Sequence, residues 1–271
     1  MQTENAGSLI SDTLVLSSVY LAREVIIDIY QPSINFDPAK VSLLLINDGQ
    51  DLLNMNFGKI LDRLYRGNDI EPVLCVGIHC SADRKNEYGT AKFLDYKGRG
   101  SKALAYQQFV LLELLPFLQS TFPGFTFKTK SFCGFSLGGL NALDTVWNHP
   151  GEFSRAGIFS GSLWWRNVSH EDPAYDERNH RIMHNQIKNG SFAPGLQFFF
   201  ETGTLDETND RNNNGIIDSI DDTLSLIEEL IAKGYDPGKD IRYLELKNGK
   251  HDVATWARAF PEFLKWGWGK Q

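Results

Sequence analysis

The chain has 271 residues, a formal net charge of −7, and contents of 42% hydrophobic and 12% aromatic residues. That composition supplies a sizeable core and excludes an intrinsically disordered chain. The acidic balance argues against nucleic acid or an anionic membrane surface as the partner, and no apolar run reaches the roughly 18 residues of a membrane span. Its 3 cysteines have no metal-like spacing and its N-terminus does not resemble a secretory signal, so we expect free thiols and a cytoplasmic location.

The predicted elements alternate between strands and helices after an initial pair of strands. The first two strands are rich in β-branched residues and are separated by a short turn. The later strands are mostly apolar runs, and Pro116 predicts a kink in the longest helix. In chain order, the elements are strands 12–20, 23–32 and 40–48, helix 57–67, strand 70–80, helix 102–122, strand 128–134, helix 137–149, strands 155–162 and 196–203, helix 221–234, strand 241–247 and helix 254–268.

This alternation predicts an α/β fold, a three-layer α/β/α sandwich with a mostly parallel central sheet and antiparallel N-terminal strands. A polar excursion, residues 165–195, interrupts the pattern, and we expect it to form a cap over the site. No proline-rich linker or internal repeat divides the chain. We therefore expect a single domain over residues 1–271.

The strongest chemical signal is the sequence CGFSLGG, in which Gly134, Ser136 and Gly138 fit the pattern G-x-S-x-G. The motif lies between a predicted strand and a predicted helix, where a tight turn would expose the serine hydroxyl at the carboxyl end of the sheet. A Cβ at either glycine would collide with the neighbouring backbone, and amides at the helix start would favour developing negative charge. Ser136 is therefore the candidate nucleophile; the alternative is a serine in a glycine-rich turn.

A serine nucleophile needs a base to take its proton, and that base needs a carboxylate to orient it. In enzymes with this strand–turn–helix motif, the order along the chain is Ser, then Asp or Glu, then His. His251 follows the last predicted strand and precedes the final helix, whereas the other histidines come before the candidate acid strand. His251 is therefore the candidate base; the alternative is a solvated loop histidine.

The acid should follow the predicted strand 196–203, at the same edge of the sheet as the base. Asp206 lies beyond a predicted turn at Gly203 and Thr204, from which a carboxylate can reach across to the histidine. Glu207 is the alternative, because an error of one residue in the loop would exchange the two. The competing carboxylates are Glu201, Asp206, Glu207 and Asp210.

Blocks of the sequence resemble the esterase D and enterochelin-esterase-like family of α/β-hydrolases, which also includes feruloyl and acetyl xylan esterases and the mycolyltransferases. The blocks are LLLINDGQDL, DRKNEY, CGFSLGGLNALDTVWNHPGEFSRAGIFSGSLWW, ETGTLDE and KHDVATWARAFPEFLKW, in family order over about residues 12–267. The resemblance implies the α/β-hydrolase fold, with Ser136 as nucleophile, Asp206 as acid and His251 as base.

The same resemblance implies an oxyanion hole formed by the backbone N–H groups of Gln50 and Leu137. The alternative for the Gln50 segment is an ordinary tight turn. Arg84, in the block DRKNEY, is a candidate substrate-binding residue, and the alternative is an exposed ion pair. Trp164 and Trp165 follow a strand end, where aromatic rings can line an acyl or aryl pocket; the alternative is that they belong to the core.

The sequence DRNNNGIIDSID, residues 210–221, matches an EF-hand-like calcium loop with Gly215 at the turn position. Its twelfth residue is Asp instead of the usual Glu, and the alternative is an asparagine-rich turn whose carboxylates cap the next helix. We expect catalysis to require no cofactor, so a calcium ion here would be structural, holding the loop that carries the candidate acid. The candidate ligands are Asp210, Asn212, Asn214, the carbonyl of Ile216, Asp218 and Asp221.

These residues together predict a serine hydrolase that cleaves a small-molecule carboxylic ester through an acyl-enzyme. Two alternatives stay open: an acyltransferase that uses the same triad, and a non-catalytic module that binds calcium or another ligand on a hydrolase fold. The sequence specifies neither the acyl group nor the alcohol, and it specifies no oligomeric state.

Overall fold

The computed structural model describes residues 9–33 and 36–270, and the strands among them form one sheet. The spatial order is β1-β2-β4-β3-β5-β6-β7-β8; β1 and β2 are antiparallel to their neighbours, and the pairs from β4 onward are parallel. The predicted fold class is therefore confirmed. The strands are β1 Leu9–Ser18, β2 Arg23–Pro32, β3 Ser42–Asn47, β4 Val73–Ile78, β5 Lys130–Phe135, β6 Arg155–Phe159, β7 Gln197–Leu205 and β8 Ile241–Lys250.

Helices cover both faces of the sheet and give the three layers. On one face, α1 and α9 pack their apolar sides on β3, β5 and β7; on the other face, α3, α4, α5, α7 and α8 form the larger core. β3 and β4 are buried at every position, which is why their sequences are continuous apolar runs. The helices are α1 Phe57–Arg66, α2 Arg84–Glu87, α3 Ala103–Gln108, α4 Leu115–Thr121, α5 Leu137–Asn148, α6 Glu177–His180, α7 Ile182–Asn189, α8 Asp218–Lys233 and α9 Val253–Trp268.

The predicted long helix is interrupted one turn before its proline. A π-helical segment, Phe109–Leu114, joins α3 to α4, and the N–H of Leu115 bonds to the carbonyl of Val110, five residues back. Pro116 is the second residue of α4, where its missing N–H costs no intrahelical bond. The irregularity thus lies in the π segment before the residue at which the kink was predicted.

The excursion 165–195 contains two short helices, α6 and α7, that periodicity did not predict. Ile182, Met183 and Ile187 on α7 are buried in the larger core, so part of the excursion is core structure. β7 also extends further than predicted, through Leu205, so the Gly203–Thr204 segment is strand instead of a turn. Within the described residues, no helix has both the length and the apolar character needed to cross a membrane.

Candidate active site

The carboxyl ends of the parallel strands bring the predicted site residues to one edge of the sheet. β3 precedes Asp48, β5 precedes Ser136, β7 runs into Asp206, and β8 runs into His251. β6, which lies between β5 and β7, ends before Ser160. This edge is where ligands bind in open α/β sheets.

Ser136 occupies a tight turn between β5 and α5. Its φ of 53° and ψ of −119° lie in a region that residues other than glycine rarely adopt. Its N–H donates to the carbonyl of Phe159 at 2.8 Å, which ties the turn to the end of β6. Strained backbone of this kind persists where the surrounding structure fixes it, and it is typical of a nucleophile turn.

The two glycines of the motif allow a close approach around this turn. A Cβ at Gly134 would lie 2.5 Å from the backbone carbonyl carbon of Gly138, which is far inside van der Waals contact. A Cβ at Gly138 would lie 2.6 Å from a carboxylate oxygen of Asp48. The predicted backbone collision is therefore confirmed at Gly134, whereas the obstacle at Gly138 is a side chain.

A second serine, Ser162, contacts the side chain of Ser136. The two Oγ atoms are 3.3 Å apart, and the N–H of Ser162 donates to the carbonyl of Ser136 at 3.0 Å. Ser162 is buried and lies just after β6. The sequence reasoning missed it because a serine after a neighbouring strand has no motif of its own; its position beside the end of β5 is the signal that could have identified it.

Asp206 and His251 are neighbours in the register of the sheet. Leu205 of β7 pairs with Lys250 of β8, and the two strands are parallel, so the next residue of each strand leaves the sheet at the same place. At Gly203 the strands come close together: a Cβ there would lie 2.4 Å from the carbonyl carbon of Gly249 and 2.7 Å from Oδ1 of Asp206. The sheet therefore juxtaposes the candidate acid and the candidate base.

The imidazole of His251 keeps an exposed face and contacts Trp256, with ring centroids 5.4 Å apart. Its nitrogens form no hydrogen bond with a described residue, so the ring is not joined directly to Ser136 or Asp206. Partial removal from water lowers the pKa of His251, Asp206 opposes this effect, and the charge of Arg84 adds to it. The lowered pKa favours the neutral imidazole near pH 7, which is the form that a general base requires.

Both carboxylate oxygens of Asp206 are buried, and neither meets a hydrogen-bond donor in the described part of the chain. Burial raises the pKa of Asp206. Gly203 and Ser160, which lie just outside hydrogen-bond geometry, lower this pKa, and so does the charge of His251. The alternative acid, Glu207, accepts a hydrogen bond from Asn209 at 3.1 Å, in the segment that leads into the loop 210–221. Of the two, Asp206 is the one that lies beside the histidine.

The two predicted oxyanion donors lie at the starts of helical turns. Leu137 is the first residue of α5, and Gln50 is in the 3₁₀ turn Gly49–Asp51, so neither N–H has an acceptor within its own helix. The side chain of Gln50 is anchored at both ends to Cys80, whose N–H donates to Oε1 at 3.1 Å and whose Sγ lies 3.3 Å from Nε2. Free, fixed N–H groups of this kind suit an oxyanion hole.

Arg84 is bound to the protein by three contacts. Its guanidinium donates to both carboxylate oxygens of Asp48 at 2.7 Å and to the carbonyl of Phe135 at 3.2 Å. Asp48 is buried and has a φ of 60°, and its N–H contacts the hydroxyl of Tyr88 at 3.2 Å. Arg84 therefore ties the turn after β3 to the residue before Ser136. The alternative of an exposed ion pair does not hold, because the partner carboxylate is buried.

The two tryptophans differ in exposure. Trp164 is partly exposed and, with Arg166, lines a cavity of about 260 Å³ that also reaches Glu207. Trp165 is fully buried, and the guanidinium of Arg99 lies 5.1 Å from its ring. Trp165 therefore belongs to the core and offers no ring surface to a substrate, whereas Trp164 can contact one.

The predicted calcium loop closes on itself through hydrogen bonds. The carboxylate of Asp210 accepts from the N–H groups of Asn214 and Gly215, and Asp221 accepts from the side-chain amides of Asn212 and Asn214 at 3.1 Å. A further candidate ligand, Asp218, accepts instead from the N–H of Arg211. Ile216, whose carbonyl is the remaining candidate, donates its N–H to Oδ1 of Asn214 at 2.8 Å. Among the described residues, no three His, Cys, Asp or Glu side chains converge on a point that could hold a metal.

A charge network, largely buried except for the partly exposed Glu177, joins this loop to the excursion 165–195. Arg211, the second residue of the loop, pairs with Glu177 of α6 and with Asp222 of α8. Arg181, from the excursion, pairs with the same two carboxylates, at 3.1 Å to Glu177 and 2.8 Å to Asp222. The network fixes the excursion against the start of α8.

Comparison with known proteins gives matches over nearly the whole chain. Residues 18–266 match the model of the Esterase family, described as "Putative esterase". The uncharacterized protein YjcH of Bacillus subtilis (strain 168) is 26% identical over 170 residues, which are 62% of this chain and 68% of that protein.

Solved structures share the fold at low sequence identity. The enterobactin esterase FES from Shigella flexneri has a TM-score of 0.70 and 19% identity, covering 96% of this chain and 59% of that one. The siderophore hydrolase EstB from Aspergillus nidulans has a TM-score of 0.69 and 18% identity, covering 98% of each chain. This chain therefore spans about 59% of the length of the Shigella protein.

Proposed function

This chain belongs to the Esterase family, and from that premise we propose that it hydrolyses small-molecule carboxylic esters through an acyl-enzyme on Ser136. The observation that carries the proposal is the strained turn of Ser136 at the edge of the sheet where β7 and β8 deliver neighbouring Asp206 and His251. A hydroxyl, an acid and a base in that chain order are the parts that acyl transfer through a serine requires.

In the proposed mechanism, the Oγ of Ser136 attacks the ester carbonyl while His251 takes its proton. The N–H groups of Gln50 and Leu137 donate to the resulting oxyanion. His251 then gives the proton to the departing alcohol, and water repeats the sequence on the acyl-enzyme to release the carboxylic acid. Asp206 orients the imidazole and stabilises its positive charge. Because His251 makes no hydrogen bond with a residue that the structure describes, the triad must close when substrate binds, as is common for catalytic hydrogen bonds.

The proposal is tested by the variant Ser136→Ala with a short p-nitrophenyl ester and by labelling with a fluorophosphonate probe. We expect loss of hydrolysis and of labelling, with unchanged folding by circular dichroism, because the attacking oxygen is gone. Ser120→Ala, at an exposed serine of α4, is the matched control and should behave like the wild type. Normal turnover by Ser136→Ala would rule out the acyl-enzyme.

The substrate panel follows from the relatives. By their names, the Shigella protein acts on enterobactin and the Aspergillus protein on a siderophore. A siderophore ester therefore belongs in the panel beside aryl, feruloyl-sugar and acetyl-sugar esters. A competing alcohol in the same assay would reveal acyl transfer as a second product.

We also propose that the loop 210–221 binds a structural calcium ion. Asp221 lies against the amides of Asn212 and Asn214, and the Asp210 carboxylate faces the same loop interior. A calcium ion would take the place of the two amide donors on Asp221, and the amide oxygens and carboxylates would supply hard ligands. Asp218 is bonded to the backbone of Arg211 and paired with its side chain at 3.3 Å, so it would support the loop from outside the ion's ligands.

A further inference from the structure

A second carboxyl group, Glu201, is buried beneath the candidate acid and is not used by the mechanism above. Its side chain is 1% exposed, and neither of its oxygens meets a hydrogen-bond donor among residues 9–33 and 36–270. No ion pair joins it to a cation in that part of the chain. An ionised carboxylate in such surroundings would be strongly destabilising, so the group must keep its proton or find a partner.

The alternation of the strand directs Glu201 toward Asp206. Side chains two residues apart on a strand lie on the same face, so Glu201 shares a face with Phe199 and with the Cβ position of Gly203. That Cβ position lies 2.7 Å from Oδ1 of Asp206. The two carboxyl groups therefore lie on the same face of β7, the one covered by α9, and are near enough for the charge of Asp206 to raise the pKa of Glu201.

Ser160 and Arg258 lower the pKa of Glu201, but burial and the charge of Asp206 outweigh them. Ser160, at the end of β6, donates its N–H to the main-chain carbonyl of Glu201 at 2.8 Å, and its Oγ accepts from Nε1 of Trp256 at 3.0 Å. Arg258 of α9 lowers the pKa of Glu201 only as a minor influence and is exposed. On β8, Tyr243 bonds to Thr202 at 2.7 Å, on the opposite face of the sheet.

Burial and the neighbouring charge of Asp206 raise the pKa of Glu201 to about 8. The group is therefore protonated near pH 7 and has one O–H to donate. Asp206 has two acceptor oxygens and no donor on either. A carboxylic acid beside a carboxylate satisfies both groups at once, with one shared proton and one negative charge.

We propose that Glu201 is a positioning residue that stays protonated and donates a hydrogen bond to the carboxylate of Asp206, holding it toward His251. The inference rests on the proposed function, since it assigns Asp206 to the triad. When Glu201 ionises, its hydrogen bond is lost and the two carboxylates repel each other, so Asp206 turns away and the imidazole is no longer held. Ionisation also adds a negative charge near His251, which favours the protonated imidazole. Both effects lower activity as the pH rises.

The test is the rate of fluorophosphonate labelling of Ser136, and kcat/KM for a p-nitrophenyl ester, between about pH 6 and pH 9.5. The wild type should lose activity above neutral pH with a midpoint near 8. Glu201→Gln keeps an uncharged donor of the same shape, so it should retain activity within about threefold at pH 7 and show no alkaline decline. Glu201→Leu keeps the volume without a donor, and it should lose about 10- to 100-fold at every pH with little change in KM.

The outcomes separate this inference from the proposed function. A wild type that labels normally at pH 7 but shows no decline up to pH 9.5 would overturn the role of Glu201 and leave the triad standing. A wild type that never labels would contradict the triad itself. If Glu201→Leu fails to fold, the wild-type profile and Glu201→Gln still decide, because an alkaline decline that persists in Glu201→Gln would exclude Glu201 as its source.

Discussion

The guanidinium of Arg84 acts on two stretches of backbone that are far apart in sequence. It holds Asp48, which precedes the proposed oxyanion donor Gln50, and the carbonyl of Phe135, which precedes Ser136. A residue that fixes both stretches sets the distance between the attacking oxygen and the oxyanion donors. We therefore expect the loss of these contacts to lower the rate of the chemical step.

The variant Arg84→Lys should lower kcat about tenfold while leaving KM nearly unchanged. Lysine keeps the charge but has no planar fork, so the bidentate bond to Asp48 and the bond to Phe135 cannot both be made. Steady-state kinetics with a p-nitrophenyl ester measure the effect, and Arg63→Lys on the exposed side of α1 is the matched control. A raised KM with an unchanged kcat would instead assign Arg84 to substrate binding, as its sequence block suggests.

At Gly203, near the candidate acid, β7 lies so close to Gly249 of β8 that a side chain has no room. The change Gly203→Ala would bring a Cβ to 2.4 Å from Gly249 and 2.7 Å from the Asp206 carboxylate. We expect it to lower the free energy of unfolding by about 1–3 kcal/mol and to displace Asp206, with loss of most activity. Chemical denaturation and ester hydrolysis measure the two effects.

Gly151→Ala is the control for this change, because no atom beyond its two neighbours in the chain lies within 4 Å of its Cβ position. It should leave both stability and activity near the wild type. Full activity in a well-folded Gly203→Ala variant would mean that catalysis does not depend on the observed position of the Asp206 carboxylate.

At the scale of elements, the sequence of the loop 210–221 has two interpretations, a calcium site and an asparagine-rich turn. If it binds calcium, about 1 mM of the ion should raise Tm by several degrees, since a ligand that binds only the folded state stabilises it. Asp221→Asn should abolish the shift, whereas Glu228→Gln, an exposed carboxylate on α8, should retain it. Differential scanning fluorimetry after treatment with a chelator measures both.

Activity measured in the same samples tests what the ion does. Loss of esterase activity on chelation, restored by added calcium, would link the loop to the placement of Asp206. An identical Tm with and without calcium would leave the loop as an asparagine-rich turn before α8.

The elements predicted from sequence are those whose signals are local. The nucleophile turn, β5 and α5 follow from a glycine spacing and an apolar pattern, and eight strands were located from β-branched and apolar runs. The short helices α2, α6 and α7 were missed because four to eight residues carry too little periodicity. The π segment was also missed, since it depends on how residues 109–114 pack against the core.

The sequence predicted which residues form the candidate site, but it did not predict the contacts of these residues. Ser136, Asp206 and His251 came from motif and chain order, which the sheet register supports. The partner of Arg84 could not be inferred, because Asp48 lies 36 residues away and meets it only through the arrangement of β3 and α2. Likewise, Glu201 was recognised as a competing acid, but its burial beside Asp206 depends on α9 covering that face of β7.

At the scale of the whole molecule, the two apolar cores lie on opposite faces of the sheet, and the site is at the edge between them. Glu201 is on the α9 face, whereas the excursion 165–195 packs on the other face, against α8. A substitution in the core under α9 can therefore affect the position of Asp206, whereas a substitution in the larger core can affect the position of Trp164.

The charge network around Arg211 also determines how this protein could be recombined with its relatives. A chimera that exchanges only residues 165–195 would remove Glu177 and Arg181 and leave Arg211 and Asp222 facing foreign side chains at a buried contact. Arg211 and Asp222 would still pair with each other, but each would lose its second charged partner, which would weaken the contact. The natural unit of exchange is therefore the longer segment 165–222, which carries all four charges, the candidate acid and the asparagine-rich loop together.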